Sequence, residues 1–282
     1  VKDIFCENGL LRIKKGAKVG ERERVFFEFY QNEFSWGGEG KADCEEFLER
    51  LDALPGSVKE ILANEFGLAQ LGISNRSDDR TLVRFLHSRK ITYGNGHVLM
   101  PVLELANHAE NGCFYNVDEG ISINGTFKAE ALAHYGIADP FGAFENWGIV
   151  SNAPVAFSLP VTLSSGSRSL AILRQISNKK VRGKFRIPVL DTDKTKVRIS
   201  HLMLGHQRFP RLAKGIFYQL MVDIGEPNAE ALFDHVRRFN VQKFLMLMEA
   251  LDEHQVQLIS TLRNVCRHQI SAITHSLGTR QI

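Results

Sequence analysis

Three side chains near the middle of the chain are of types that do chemistry: the amide and imidazole of Asn107-His108, and the phenol of Tyr135. Asn107-His108 closes the run from Met100 to Ala106. Tyr135 is followed by Gly136, and the stretch Glu145-Asn146-Trp147-Gly148-Ile149-Val150 comes after it. An amide donates and accepts hydrogen bonds at once. A phenol, with a pKa of about 10, keeps its proton at neutral pH, so Tyr135 reads as a hydrogen-bonding and electrostatic group before a general base. No Ser-His-Asp or Cys-His nucleophile pattern stands out. Cys6, Cys44, Cys113 and Cys266 form no CxxC pair, so a zinc site has little support. Asn107, His108 and Tyr135 are too far apart in sequence to make a local site, so the fold must gather them.

The elements that must do so can be sketched from the pattern. Residues 5–30 read as short strands: Gly9 to Ile13, a turn at Lys15-Gly16, then Val25 to Phe29. Trp36-Gly37-Gly38-Glu39-Gly40 reads as a flexible break. Asp43 is placed to cap a helix through Phe47, Leu48, Leu51 and Leu54, which Pro55-Gly56 ends. A second short helix carries Val58, Ile61, Leu62 and Phe66 and stops at Gly67. A third carries Leu82, Phe85 and Leu86 toward Ser88-Arg89. Tyr93 to Gly96 is a turn, His97 to Leu103 a buried strand, and Phe114 to Phe127 a hairpin around Asp118-Glu119-Gly120. Val155 to Leu163 is a strand interrupted by Pro160. Beyond about residue 200 the chain reads as helical: Asn228 is placed to cap one helix, and Ile259, Leu262, Cys266, Ile270, Ile273 and Leu277 form an apolar stripe that reads as packing.

The bulk numbers allow two modest domains: 282 residues, 44% hydrophobic and 24% charged. No apolar run approaches the roughly 18 residues of a membrane span, and no leader pattern is visible, although the chain starts at Val1. Scattered cysteines suit a reducing compartment and a soluble protein of cytoplasm or nucleus. The net charge of +3 does not argue for nucleic acid. The basic residues are concentrated between Arg168 and Arg198, where only Asp191 and Asp193 oppose them. That stretch reads as a solvated face, or more sharply as a surface for an acidic partner. It lacks the interleaved aromatics that stack bases.

The order of these parts resembles the catalytic half of SET-domain protein methyltransferases, in the split-SET subgroup that includes the Rubisco large-subunit methyltransferase and the actin-histidine methyltransferase. Ser88-Arg89-Lys90-Ile91 is similar to the subgroup's SR-S/Q-F element. Pro101 to His108 is similar to its P-x-x-D-x-x-N-H, with Glu104 for Asp. Tyr135 to Ile149 is similar to its Tyr-Gly to Tyr-Gly-Phe segment, with Trp147 and Ile149 as departures. The likeness covers most of the chain and is strongest over 81–163.

The resemblance implies an α+β fold. Residues 1–165 would be a β-rich SET core of short, mainly antiparallel sheets with a knotted centre and a helical insert over about 41–90. Residues 166–282 would be a mainly helical C-terminal domain that docks a protein substrate. The cofactor would be S-adenosylmethionine, with the backbone at Glu7, Asn8 and Gly9 beside its methionine end and Arg89, Asn107, His108 and Tyr135 completing the cofactor site. Tyr135 would be the catalytic tyrosine, and Arg89, Glu104, Tyr115 and Trp147 would line the junction with substrate. Arg89 and Glu104 could pair. No metal is required.

The implied activity is methyl transfer to a protein nitrogen, lysine first and histidine as the rival acceptor. A lysine must lose a proton from a group of pKa about 10.4, which burial beside a cationic sulfonium favours. Glu104, Trp147 and the short insert motivate the other reading, a non-catalytic SET-like protein-binding module.

Overall fold

The structure, a computed structural model, describes residues 2–68, 78–94, 96–117, 119–127, 130–136, 138–165, 168–175, 181–182, 185–252, 254 and 257–275. Asp118 of the expected hairpin turn, Lys179, Lys180 and Lys184 of the basic stretch, and Leu277 of the last apolar stripe lie outside these residues. The fold is mixed, with short sheets, helices throughout and a helical C-terminal part. The chain divides into two compact units, one of residues 1–54, 69–137 and 145–148, the other of 55–68, 138–144 and 149–282.

The first unit opens with β1 (Ile4–Glu7) and β2 (Leu10–Ile13), an antiparallel pair joined by Asn8-Gly9. Both loop residues have positive φ, 52° and 79°. That is the backbone a two-residue turn needs to match the twist of its strands, and Asn-Gly is the pair that adopts it most readily. Next comes α1 (Glu21–Tyr30), where a strand over Val25 to Phe29 is the sequence expectation. The helix wins because it puts Arg24 and Glu28 one turn apart on one face. From there Glu28 accepts from the Ile13 amide (3.0 Å) and from Arg12 (2.7 Å), while Arg24 donates to the Ile13 carbonyl (2.6 Å). In an extended chain those two side chains would be too far apart to clamp a single residue.

The helical path continues through Gln31–Gly40, with a kink at Gly38 (φ −72°, ψ −117°), into α2 (Lys41–Asp52). The expected flexible break is therefore a packed element. Trp36 is buried, stacks edge-on against Phe85 with centroids 5.0 Å apart, and donates from its indole nitrogen to the Gly9 carbonyl at 2.8 Å. Asp43 lies in the first turn of α2, and no side chain caps that helix. Leu11, Phe27, Trp36, Cys44, Leu82, Phe85 and Leu99 form the core of this unit.

The third expected helix is present as α4 (Asp78–Arg89), after α3 (Gly56–Phe66), which belongs to the second unit. A hairpin of β3 (Ile91–Tyr93) and β4 (Gly96–Val98) follows. The expected buried strand from His97 to Leu103 is replaced by this exposed β4 and a single 3-10 turn at Leu103–Leu105. The last sheet of the unit joins β5 (Asn107–Asn116) to β6 (Ser122–Ile123), antiparallel, and to β7 (Leu132–His134), parallel.

In the second unit, α5 (Pro140–Trp147) contributes its first residues, and β8 (Val155–Phe157) pairs with β15 (Met203–His206). A four-stranded sheet takes β9 (Val161–Ser165), β10 (Arg168–Ile172), β13 (Leu190–Thr192) and β14 (Lys196–Ile199) in the order β13-β14-β10-β9. The smaller pair of β11 (Val181–Arg182) and β12 (Phe185–Arg186) lies between β10 and β13 in sequence. A boundary at residue 165 would cut the β9–β10 hairpin, whose register runs Ser165↔Arg168 to Val161↔Ile172. Strands thus continue to residue 206 before α6 (Pro210–Asp223), α7 (Ala229–Asp252) and α8 (Gln257–Thr274). Ile259, Leu262, Cys266 and Ile273 of the expected stripe are buried on α8.

A buried carboxylate, Asp139, ties these pieces together. It accepts from the amides of Gly142 (2.7 Å) and Phe157 (2.9 Å), from Arg174 (2.7 and 3.2 Å) and from Gln269 (2.6 Å). Asn240 does the same for the segment that follows β8, accepting from the Leu159 amide at 2.7 Å and donating to the Ser158 hydroxyl and the Val236 carbonyl. On the exposed edge, Arg198 pairs with Asp191 at 3.0 Å, so this part of the basic stretch meets its own acids.

Candidate functional site

In the first unit, β5 and β7 bring His108 and Tyr135 together. Asn107 pairs with Leu132 and His108 with Ala133. After a break in register Cys113 pairs with the same Ala133, and Phe114 with His134. Ala133 thus sits between two passes of β5. Gly112 permits it, because a Cβ there would lie 2.6 Å from the Ala133 carbonyl carbon. This places Tyr135 one residue beyond β7 and beside His108, whose Nδ1 accepts from the Tyr135 amide at 3.3 Å.

Trp147, at the end of α5, completes an aromatic corner. Its ring centroid is 5.1 Å from Tyr135 and 6.2 Å from His108, and His108 is 5.1 Å from Tyr135. Arg84 fixes the helix end, donating to the Glu145 carbonyl at 2.7 Å while its guanidinium covers the Phe47 ring at 4.1 Å. Burial pulls the Arg84 pKa down to about 10.

The turn at Leu103–Leu105 receives both tyrosines. The Tyr135 hydroxyl donates to the Ala106 carbonyl at 2.7 Å, and the Tyr115 hydroxyl to the Leu103 carbonyl at 3.1 Å. Each phenol is thereby fixed as a donor to backbone, which leaves its oxygen lone pairs to accept from something else. Burial raises both pKa values, Tyr115 to about 12 with added repulsion from Tyr135 and Glu104, so neither phenol ionises at neutral pH. Just before this turn, Val102 holds φ 71° and ψ −51°, a strained conformation for a β-branched residue.

Glu104 points inward from the same turn, with 7% of its surface exposed. It accepts from the Gln31 amide nitrogen, and burial raises its pKa against hydrogen bonds from Gln31 and the Ser35 hydroxyl and the Arg89 charge. It makes no ion pair with Arg89. The Arg89 guanidinium instead lies over the Phe85 ring at 4.5 Å and donates to the Ser88 hydroxyl at 3.3 Å.

Four of the expected residues are not at the corner. Glu7, Asn8 and Gly9 form the exposed tip of the β1–β2 hairpin, and the Gly9 carbonyl is taken by Trp36. Asn107 is exposed and donates its amide to Glu130. The residues that pattern reading missed are Tyr30, Gln31 and Ser35, all buried. A signal was present: Gln31 and Ser35 are four apart in an aromatic-rich run, which is one face of a helix.

No protein-family model matches the chain, no curated protein matches it, and no solved structure matches it.

Proposed function

We propose that the first unit is a SET-type core and that the chain is an S-adenosylmethionine-dependent protein N-methyltransferase acting on lysine. The observation that carries the reading is the corner at Tyr135: a phenol whose proton is committed to the Ala106 carbonyl, walled by His108 and Trp147. This agrees with the order of motifs in the sequence, where the same residues fall at matching positions.

The residues at the corner suit a cationic sulfonium. Electron-rich ring faces and phenol oxygens with free lone pairs attract positive charge. His108, Tyr135 and Trp147 would hold that end of the cofactor, which when bound supplies an already activated methyl group. Tyr135 and Tyr115 would orient an acceptor amine by accepting its hydrogens, since both are fixed as donors to backbone and both stay protonated. A half-buried, aromatic setting favours the neutral amine. The helical C-terminal part would dock the protein substrate.

A non-catalytic protein-binding module is the second reading. The exposure of Glu7, Asn8, Gly9 and Asn107, which would hold the rest of the cofactor, favours it. Mass spectrometry of lysine- and histidine-containing peptides after incubation with the chain and S-adenosylmethionine separates the readings. Methylation on lysine supports the proposal, methylation on histidine corrects the acceptor, and unmodified peptides leave the module.

A further inference from the structure

Helix α1 and the helical chain that continues it carry two apolar faces, and one of them is packed. Phe27 and Tyr30 are buried in the first unit, and the Arg24 and Glu28 clamp on Ile13 fixes that side inward. The other side holds Val25, Phe26, Phe29 and Phe34, each 54–59% exposed. These rings form one surface. Phe29 meets Phe34 edge-on with centroids 5.8 Å apart, and Phe26 and Phe34 flank Tyr30 at 6.1 and 5.9 Å. The Tyr30 hydroxyl reaches the backbone of Val102, so the exposed Val102 and Leu105 of the neighbouring turn adjoin the patch. A helix that packs one stripe and leaves a second aromatic one in water presents an interaction surface.

Area and charge both bear on what covers it. At roughly 200 Å² for a whole ring, the patch presents on the order of 500 Å² of apolar surface. A second copy of the same face doubles that to about 1,000 Å², the size at which a specific interface begins. The two ends of the face carry opposite charges. Arg22 precedes the aromatics and Glu33 falls among them, both exposed and without an ion pair among the described residues. Positions 22, 26, 29 and 33 are spaced by four, three and four, the spacing of a helix–helix seam. Antiparallel pairing about a twofold axis between residues 27 and 28 sets Phe26 against Phe29 of the partner subunit. The same axis sets Arg22 against Glu33 of the partner subunit, and the symmetry makes that ion pair twice. A wholly acidic or wholly basic partner would meet attraction at one end and repulsion at the other.

We infer that the outer face of α1 binds a second copy of this chain, antiparallel, as a twofold dimer. The pairing stands apart from the methyltransferase reading and needs no cofactor.

Sedimentation equilibrium of the whole chain, up to about 100 µM, tests it and should show twice the mass of one chain. Phe26→Glu should weaken the pairing at least about thirtyfold, with unchanged circular dichroism because that ring is exposed. Arg22→Glu and Glu33→Arg should each weaken it about tenfold at low salt, and the double variant should restore it, as the antiparallel register requires. A chain that stays monomeric at that concentration overturns the inference. So does a dimer that Phe26→Glu leaves intact, or a pair of charge reversals that fail to rescue each other. A monomeric chain that floats with phosphatidylcholine vesicles overturns it as well, and makes the aromatic face a membrane-seeking one.

Discussion

The two units each bury a carboxylate, and they treat it in opposite ways. Asp139 is fully enclosed and every acceptor position is met, by two backbone amides, a bidentate arginine and a glutamine. Its partners hold its pKa below the ordinary aspartate value despite the desolvation that acts against them. Glu104 is nearly as buried, yet among the described residues it has only neutral partners, the Gln31 amide and the Ser35 hydroxyl, and no ion pair. Its pKa is raised by that burial. A satisfied charge specifies a fold. A buried acid held only by neutral donors keeps a desolvation cost, and acids so perturbed gather at functional sites.

The largest effect is expected at Asp139. Asp139→Ala strands the buried Arg174 charge and should cost about 3–5 kcal/mol in urea denaturation, with loss of the folded state at moderate temperature. A cost under about 1 kcal/mol would mean that the network does not hold the second unit. The next largest effect is functional. On the methyltransferase reading, Tyr135→Phe should lower methyl transfer by about 10²-fold or more, because it removes the group proposed to orient charge at the reacting centre. It should cost only about 1 kcal/mol of stability for one lost hydrogen bond. Large unfolding with unchanged turnover would reverse the roles given to that hydroxyl.

Glu104→Gln sharpens the contrast in pH dependence. The lowered Asp139 pKa adds stability that is whole above the ordinary carboxylate range and lost as pH falls through the folded value. The raised Glu104 pKa works the other way: stability is whole below the unfolded value and declines as pH rises through the folded one. Replacing Glu104 by Gln should remove that decline and stabilise the chain by about 1 kcal/mol at neutral pH, read from denaturation series between acid and neutral pH. A destabilised Glu104→Gln would make this acid a structural one, like Asp139. The smallest effect is at the surface. Arg198→Ala, which removes an exposed pair with Asp191, should change stability by less than about 1 kcal/mol, and less again in high salt.

The sequence made some of this legible and hid the rest for physical reasons. The helices at 41–66 and 78–89 and the stripe on α8 follow apolar spacing with Gly and Pro stops, and they appear where the spacing puts them. The convergence of His108, Tyr135 and Trp147 was readable only through the order of motifs, because parallel pairing of β5 and β7 is a long-range event with no local signal. The strand expected at Val25 to Phe29 is a helix because the Arg24 and Glu28 clamp on Ile13, a tertiary contact, outweighs the β preference of its aromatics. With Val25 to Phe29 expected as a strand and Trp36 to Gly40 as a flexible break, the Gln31 to Ser35 stretch between them offers no helical face that would meet Glu104. The hairpin tip at Asn8-Gly9 shows the converse: its glycine serves turn geometry, which the type of residue alone does not separate from ligand approach.

On the proposed function, the corner at Tyr135 receives a cationic cofactor. Calorimetric titration of S-adenosylmethionine into the folded chain tests it most directly. Saturable heat with a dissociation constant below about 1 mM, weakened at least tenfold by Trp147→Ala, is the predicted result. No heat at millimolar cofactor, from a chain whose circular dichroism shows it folded, would contradict it.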